Sequence, residues 1–342
     1  DRLVPDPLLA GRDGAKLRAM AAAHGGLRWS DDLDAALRDP ADAVFFDCAL
    51  SGLRAGFARR AIDAGKHVFL EKPIAPTLDE AMDLARRAAA AGVKGGVIQD
   101  KVHLPGLRKL RMLRDAGFFG RILAVKIEFG WWVFDGMFQP SQRTSWNYRR
   151  TDGGGMALDM CAHFRYILDR AIAPVTRIVC RTAIHQPRRA DERGAEFDVD
   201  ADDAFYATMD LQGGAVATVA SSWATRLRRD DMLQIQIDGT HGSAVAGLHA
   251  CRAQALVATP RPPWNADAPQ PMDFYTQWQA VPDNIPYPPS FRVCWDEFLR
   301  HVEEDAPLAP TLLEGAKAVQ LAELAYASDR EGRWLDVAPL AL

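Results

Sequence analysis

The chain has 342 residues, 48% hydrophobic and 25% charged, with a formal net charge of −4. A single core stops growing at about 250–300 residues, so the length predicts two domains of an ordinary globular protein. The slightly acidic balance argues against an electrostatic nucleic-acid footprint, and apolar runs fall short of the roughly 18 residues that a membrane span requires. Five cysteines, without a Cys-x-x-Cys pair, predict reduced thiols in a cytoplasmic protein.

The first hundred residues alternate between short apolar strands and helices. Gly25 and Gly65 end two of the helices, Ser30 is predicted to cap a short helix before Pro40, and Thr77 opens another in a capping box. Strands are predicted at 7–11, 43–46, 67–70 and 93–99, and long helices at 15–24, 54–64 and 77–91. Continuous apolar strands that alternate with helices are typical of a parallel α/β sheet.

The pattern changes after residue 102. A long tryptophan-rich loop is predicted at 130–155, and Gly213-Gly214 marks a hairpin. Helices are predicted at 105–116, 156–169, 291–303 and 312–328, and strands at 122–129, 178–183, 204–211, 215–222, 233–237 and 243–246. The proline-rich stretch 260–289 favours little regular structure. We therefore predict a parallel-sheet domain over 1–102 and an α+β domain with a large, mostly antiparallel sheet over 103–342.

Chemistry is concentrated in two clusters. Lys72 lies in Glu71-Lys72-Pro73 directly after a predicted strand, and Pro73 biases it toward extended backbone at the carboxyl end. Asp159 and His163 follow Gly153-Gly154-Gly155 and, four residues apart, share one helix face. A cation, a carboxylate and an imidazole suit proton transfer at an alcohol oxygen while hydride leaves the carbon. Asp159 could orient the His163 ring or contact the substrate.

These motifs resemble the glucose-fructose oxidoreductase / inositol dehydrogenase family of NAD(P)-dependent enzymes. The similarity covers most of the chain and includes 64–68 leading into Glu71-Lys72-Pro73 and the glycine turn before Asp159 and His163. The resemblance implies a Rossmann-type dinucleotide-binding domain and catalytic roles for Lys72, Asp159 and His163. It also implies a homodimer or homotetramer formed through the C-terminal sheet.

The chain departs from the family at several positions. No Gly-x-Gly-x-x-Gly motif occurs, so we expect the sequence to begin inside the dinucleotide-binding domain, with its first strand and glycine loop outside these residues. Cys161 stands where the family usually has glycine, and Tyr166 where it often has aspartate. A metal reading of Asp159, Cys161 and His163 is open, but no further ligand cluster supports it, so no metal is predicted.

The cofactor is predicted to bind at the ends of the strands. The strand at 7–11 ends in Gly11 and Arg12 rather than an acidic residue, which favours NADP over NAD because a guanidinium suits a 2′-phosphate. The alternative is a solvated Arg12 with Asp13 on the ribose. Further cofactor contacts are predicted from Asp47, Cys48, Ala49, Glu71, Lys72, Pro73 and Gln99.

The substrate is predicted to be a carbohydrate-like small molecule. Indole faces stack on the C–H faces of sugar rings, and tryptophans cluster just before the Asp159 helix. The predicted substrate contacts are Lys101, Trp131, Trp146, Tyr148, Arg149 and His163. For any single aromatic residue, core packing is the commoner role, and for Lys101 a structural salt bridge is as good a reading.

The predicted activity is hydride transfer between a nicotinamide and a secondary alcohol or ketone of a sugar, glycoside, anhydrosugar or cyclitol. Two alternatives remain open at this point. One is an enzyme that oxidises transiently with bound NAD and then eliminates, cleaving a glycosidic bond. The other is a non-enzymatic cofactor-binding regulator, because a fold alone does not define a function.

Overall fold

The computed structural model describes residues 7–132 and 143–342. Its first part contains β1 (Leu8–Ala10), α1 (Gly14–Ala23), β2 (Arg28–Ser30), α2 (Leu33–Arg38), β3 (Val44–Asp47), α3 (Ser51–Asp63), β4 (His67–Leu70), α4 (Leu78–Ala90) and β5 (Gly95–Val97). Strand β1 pairs in parallel with β2, and β3, β4 and β5 form a second parallel sheet in that order. The predicted parallel α/β architecture is confirmed.

Two local predictions in this part were wrong. Strand β2 was not predicted, because three residues are too few to show a periodic pattern. Ser30 does not cap α2: Asp32 does so, accepting from the Ala35 amide at 3.0 Å, while the Ser30 hydroxyl accepts from the Asp32 amide at 3.1 Å. An N-cap side chain must reach the second or third helical amide, and Ser30 lies two residues too early.

The second part is built on a nine-stranded sheet. Its elements are α5 (Pro105–Asp115), β6 (Ile122–Gly130), α6 (Met156–Ala171), β7 (Val175–Ala183), β8 (Arg188–Ala190), β9 (Glu196–Asp198), β10 (Ala204–Leu211), β11 (Val216–Ser222), β12 (Leu233–Gly239), β13 (Gly242–Ala246), β14 (Cys251–Ala255), β15 (Gln279–Ala280), α7 (Ser290–Glu304), α8 (Leu312–Glu331) and β16 (Leu335–Asp336). The strand order is β15-β14-β13-β12-β6-β11-β10-β7-β16.

This sheet is mixed but mostly antiparallel, as predicted. Strands β6 and β11 pair in parallel, and the other neighbouring strands of the sheet pair antiparallel. Strands β14 and β15 and the separate β8–β9 hairpin were not predicted. Along β6, Val125 and Ile127 are buried while Lys126 and Glu128 are exposed. The sheet therefore has one face in the core, against α6 and α8, and one open face.

The C-terminal helices return to the N-terminal sheet. Leu312 and Val319 of α8 belong to the N-terminal core, whereas Leu321 and Ala325 of the same helix belong to the core of the nine-stranded sheet. From α7, Phe298 stacks on the β4 residue Phe69 with ring centroids 4.4 Å apart. The two cores thus share α8, and the division at 102/103 remains a prediction about chain order.

Candidate active site

Lys72 and Asp159 meet between the two cores. Lys72 follows β4 and precedes a cis peptide bond to Pro73, and Asp159 lies in the first turn of α6. The Lys72 ammonium donates to the Asp159 carboxylate through a short hydrogen bond, and to the Asp159 backbone oxygen at 3.3 Å. The predicted convergence of these two positions, 87 residues apart in the chain, is confirmed.

Arg143 completes the environment of Asp159. Its Nη2 donates to Asp159 Oδ2 at 2.8 Å and to Asn147 Oδ1 at 2.7 Å, and its guanidinium carbon lies 4.3 Å from the Trp223 ring centroid. Burial alone would raise the pKa of Asp159, but the charges of Lys72 and Arg143 outweigh burial and hold it well below its usual range. Arg143 was missed at the sequence level.

His163 is held by a tyrosine rather than by Asp159. Its Nδ1 lies 2.7 Å from the hydroxyl of Tyr166, one turn further along α6, and the ring is 7% exposed. The idea that Asp159 orients this ring was wrong, because both oxygens of that carboxylate bind cations. Burial, and then the charges of Lys72 and Lys101, hold the pKa of His163 well below its usual range. His163 is therefore neutral at neutral pH.

Lys101 combines the two roles considered for it. Its ammonium forms an ion pair with Asp100 at 2.7 Å, and its side chain is 28% exposed. It also lines a small apolar cavity together with His163, Phe129 and Met160. The salt bridge leaves Lys101 beside the histidine that is predicted to meet the substrate.

The predicted substrate aromatics separate into two groups. Trp131 and Trp132 stack with centroids 5.8 Å apart, and Trp132 is 43% exposed. Trp146 is half-buried. Tyr148 is only 1% exposed and packs edge-on against the buried Trp223, so it has no surface free for a substrate in this structure. The placement of Tyr148 in the substrate set is therefore corrected to a role beneath the site.

Arg149 and the glycine turn also contact protein. The Arg149 guanidinium lies over the Phe197 ring, 4.3 Å from its centroid. A Cβ on Gly154 would lie 2.5 Å from the Trp146 carbonyl oxygen, and one on Gly155 would lie 2.5 Å from the Tyr326 hydroxyl. Gly155 also has a φ of +126°. These two glycines are needed where loop and helix pack together, rather than for the close approach of a ligand that we expected.

The strand ends show what the N-terminal sheet offers to a dinucleotide. Gly11 and Arg12 are exposed directly after β1. The Asp13 carboxylate caps α1, accepting from the amides of Ala15 and Lys16 at 3.0 Å each. Capping occupies the Asp13 oxygen nearest the helix, which disfavours the alternative that this residue binds a ribose.

Arg54 organises the neighbouring strand ends and was not predicted. This buried side chain donates to Asp47 at 2.6 Å, to the Ala49 carbonyl at 2.6 Å and to the Pro73 carbonyl at 2.5 Å. Asp47, Ala49 and Pro73 were expected to contact the cofactor directly. The structure ties all three to one internal guanidinium, so Arg54 aligns the ends of β3 and β4.

The remaining predicted cofactor residues lie at the same edge with different exposure. Cys48 is exposed and Glu71 is half-buried, with burial raising the pKa of both. Glu71 accepts from the Lys72 amide at 3.2 Å. Gln99 is 2% exposed and accepts from Arg170 at 3.0 Å. The buried Gln99 therefore supports this edge from inside.

The donor set at this edge fits a dinucleotide. The Asp13 and Asp47 carboxylates are engaged by a helix N-terminus and by Arg54, which leaves Arg12 and backbone groups of the strand ends accessible. Such groups suit phosphates. Within 7–132 and 143–342, no group of three or more His, Cys, Asp or Glu side chains could hold a metal ion. Over the same described residues, no helix is both long and apolar enough to cross a bilayer.

A parallel α/β domain with a charged cluster where its strand ends meet a second, mixed-sheet domain defines the class of two-domain nicotinamide oxidoreductases. Family models agree: residues 9–99 match the oxidoreductase family with an NAD-binding Rossmann fold, and residues 107–245 match the GFO/IDH/MocA C-terminal domain. The chain belongs to the GFO/IDH/MocA oxidoreductase family.

Individual relatives extend this result. A D-xylose dehydrogenase of Paenarthrobacter nicotinovorans is 48% identical over 98% of this chain and 88% of its own length. A structure of levoglucosan dehydrogenase in complex with NADH and L-sorbose covers 97% of this chain and 90% of its own, with a TM-score of 0.82 at 20% identity. The super-repressor mutant of Gal80p from Saccharomyces cerevisiae covers 96% of this chain and 89% of its own, with a TM-score of 0.78 at 15% identity. Enzymes and a regulator thus share this fold.

Proposed function

We propose that this protein is an NAD(P)-dependent dehydrogenase that transfers hydride between the nicotinamide and a secondary alcohol or ketone of a sugar, glycoside, anhydrosugar or cyclitol. The observation that carries the proposal is the convergence of Lys72, Asp159 and His163 beside the strand ends. A regulator that only senses a cofactor needs no such set of proton-handling groups. The family and the 48% identical D-xylose dehydrogenase support a sugar alcohol as the substrate.

The three residues divide the work at the substrate hydroxyl. When bound, the nicotinamide supplies the hydride chemistry, and the protein supplies position and proton transfer. Lys72 places a positive charge where alkoxide character develops, which stabilises the transition state electrostatically. His163, neutral because of its burial, accepts the hydroxyl proton. Asp159, fixed by Arg143, holds the Lys72 ammonium in place.

Sugar binding is proposed for the exposed aromatic and cationic groups near His163. The Trp131–Trp132 stack offers an indole face, and Lys101 offers a donor beside the histidine. Half-buried Trp146 and Arg149 can add further contacts. Among sugars, a pentose is the first substrate to test, because the most identical of the relatives described above is named for D-xylose.

NADP is the favoured cofactor. Arg12 is exposed at the end of β1, and the only acidic side chain next to it, Asp13, is engaged in capping α1. A guanidinium without a free neighbouring carboxylate suits a 2′-phosphate better than a ribose hydroxyl. The residues that would hold the dinucleotide are Gly11, Arg12, Cys48, Ala49, Glu71 and Pro73 at the strand ends.

The test of this function is the variant Lys72→Met. It removes the charge but keeps an apolar side chain of similar length, so we expect turnover of D-xylose and related sugars to fall by about two orders of magnitude or more while cofactor still binds. The measurement is the initial rate of NADPH or NADH formation, alongside fluorescence titration of the cofactor. Lys94→Met, which removes a lysine from the exposed ion pair with Asp305, is the matched control. Turnover unchanged by Lys72→Met would rule out the assigned role.

A homodimer or homotetramer is proposed as the assembled form. The open face of the nine-stranded sheet carries exposed apolar side chains such as Tyr206 and Val216 beside polar ones. A broad, flat face of mixed polarity can pair with a second copy by two-fold symmetry.

A further inference from the structure

Tyr166 connects His163 to a buried acid. Its hydroxyl oxygen lies 2.7 Å from His163 Nδ1, 3.3 Å from Asp100 Oδ1 and 3.3 Å from the backbone nitrogen of Lys101. Asp100 is 5% exposed, and its other oxygen accepts from the Lys101 ammonium at 2.7 Å. This network stands where relatives often place a single carboxylate next to the histidine, so the acid here lies one hydrogen bond further away.

The hydrogens in this network can be counted. The Lys101 amide can only donate, and the Asp100 carboxylate, paired with an ammonium, can only accept. Tyr166 has one hydroxyl hydrogen and two lone pairs. If that hydrogen goes to Asp100, both lone pairs accept, one from Lys101 and one from His163. The reverse assignment would leave a buried carboxylate oxygen facing a lone pair, which costs more than leaving a neutral group unpaired.

We propose that Tyr166, itself oriented by Asp100, is a positioning residue that fixes His163 as the tautomer with its proton on Nδ1. The bare Nε2 then faces the substrate as a hydrogen-bond acceptor. Within the described residues Nε2 has no hydrogen-bond partner, and His163 borders the small cavity that Lys101 also lines. The tautomer is a property of the folded protein alone, whereas its use in catalysis rests on the proposed function.

The tautomer sets the direction of proton transfer. In the oxidation direction, the O–H bond of the substrate breaks and an N–H bond forms at Nε2, so His163 becomes a cation. Tyr166 then accepts from Nδ1 and passes the polarisation to Asp100, which stabilises that cation. With the proton on Nε2 instead, the ring could only donate to the hydroxyl and could not take up its proton.

The same network affects the pH dependence. The base must be neutral, so oxidation is lost as the pH falls through the pKa of His163, which burial holds below its usual range. Removing the Tyr166 oxygen removes an acceptor for the imidazolium, so the acid limb should move to still lower pH. The groups facing the ring are Lys72 after β4, Asp100 and Lys101 in the turn after β5, Arg143 in the loop before α6, and Asp159 and Tyr166 on α6.

The first experiment reads the tautomer directly. The intact protein is labelled with ¹⁵N in its eight histidine rings, and long-range ¹H–¹⁵N spectra distinguish a proton on Nδ1 from one on Nε2. His163→Gln identifies the signal by its loss. We expect the Nδ1–H pattern for His163 without any ligand. The Nε2–H pattern would overturn the proposal, whether or not the protein oxidises sugars.

The second experiment uses Tyr166→Phe, with Tyr206→Phe as a matched control. Tyr206 forms the other tyrosine–histidine contact, 2.9 Å from His185 Nε2, on the open sheet face far from the proposed chemistry. For Tyr166→Phe we expect a mixed tautomer, a kcat on the order of ten- to a hundredfold lower, a shifted acid limb and unchanged cofactor affinity. Tyr206→Phe should change none of these. If Tyr166→Phe keeps the wild-type tautomer and the wild-type acid limb, Tyr166 is structural and the proposal fails.

Discussion

Asp159 shares its two carboxylate oxygens between two cations. One oxygen holds the Lys72 ammonium, and the other accepts from Arg143 at 2.8 Å. The folded-state pKa of Asp159 lies below its ordinary value, so its ion pairs stabilise the protein above that value and are lost only as the pH falls through the folded pKa, in strong acid. At every pH where a sugar dehydrogenase works, Lys72 is therefore held by a charged partner. The pH limit must then come from His163.

Arg12 gives the residue-scale prediction. Replacing it with alanine should weaken NADPH binding on the order of ten- to a hundredfold, because a charged hydrogen bond to a phosphate is worth about 1.5–3 kcal/mol. NADH, which lacks the 2′-phosphate, should bind as before. The measurement is a fluorescence titration of the intact protein with both cofactors.

Arg18→Ala is the control for Arg12→Ala. Arg18 lies on α1 over the Trp29 ring, 5.5 Å from its centroid, so its loss removes an arginine from the same region without touching the end of β1. An Arg12→Ala variant with wild-type NADPH affinity would show that the cofactor preference is set elsewhere.

At the scale of elements, Arg54 makes the strand ends one unit. A helix residue that binds Asp47 after β3 and the carbonyl of Pro73 after β4 fixes where both strands end. Asp47 is 3% exposed, so its charge depends on this partner. Lys72 is the residue before Pro73, and the position of the catalytic ammonium is therefore linked to a guanidinium on α3.

Removing this guanidinium tests the link. Arg54→Met leaves Asp47 buried and unpaired, and breaking a buried pair from one side costs about 3–5 kcal/mol. We expect a loss of that size in the free energy of unfolding, measured in urea, and weaker cofactor binding. The double variant Arg54→Met with Asp47→Asn should recover part of the stability, since no unpaired charge remains.

Arg300→Met removes an exposed i,i+4 pair with Glu304 on α7 and is the control for Arg54→Met. It should change stability little, because exposed ion pairs contribute little. Equal losses for Arg300→Met and Arg54→Met would show that the buried pair has no special role.

What the sequence predicted at this scale depended on how local the signal was. Lys72 after an apolar run, and Asp159 with His163 on one helix face, are set by strand and helix geometry, so their convergence was predictable. Arg143 and Arg54 find their partners only in the folded chain, and an arginine in a loop or helix carries no mark of that. Tyr148 resembles a substrate-facing aromatic in sequence, but its burial beneath Arg143 and Trp223 depends on tertiary packing.

At the scale of the whole molecule, α8 joins the two cores. Its first half packs with α4 under the parallel sheet, and its second half packs with α6 against the nine-stranded sheet. The Leu78 amide donates to Glu323 of α8 at 2.7 Å. The site lies between the two cores, and a helix common to both limits how far Lys72 and Asp159 can separate. With the helices on this side, the open face of the nine-stranded sheet is left for a second copy of the chain.

The open face gives the last prediction. Ala220 lies on this face in the central strand β11, directly opposite Glu128 on β6 and Tyr206 on β10. In Ala220→Lys the new ammonium can pair with Glu128 within one chain, so the fold should persist. At an interface between two copies the same charge must lose water, which costs several kcal/mol when it is not fully paired. We therefore expect sedimentation velocity to show the wild type as a dimer or tetramer and Ala220→Lys as a monomer with an unchanged thermal transition. Met20→Lys places the same charge on an apolar side chain of α1 that is 45% exposed, away from the sheet, and should leave the assembly intact. If Ala220→Lys sediments like the wild type, the open face is not the interface, and the copies must meet through another surface.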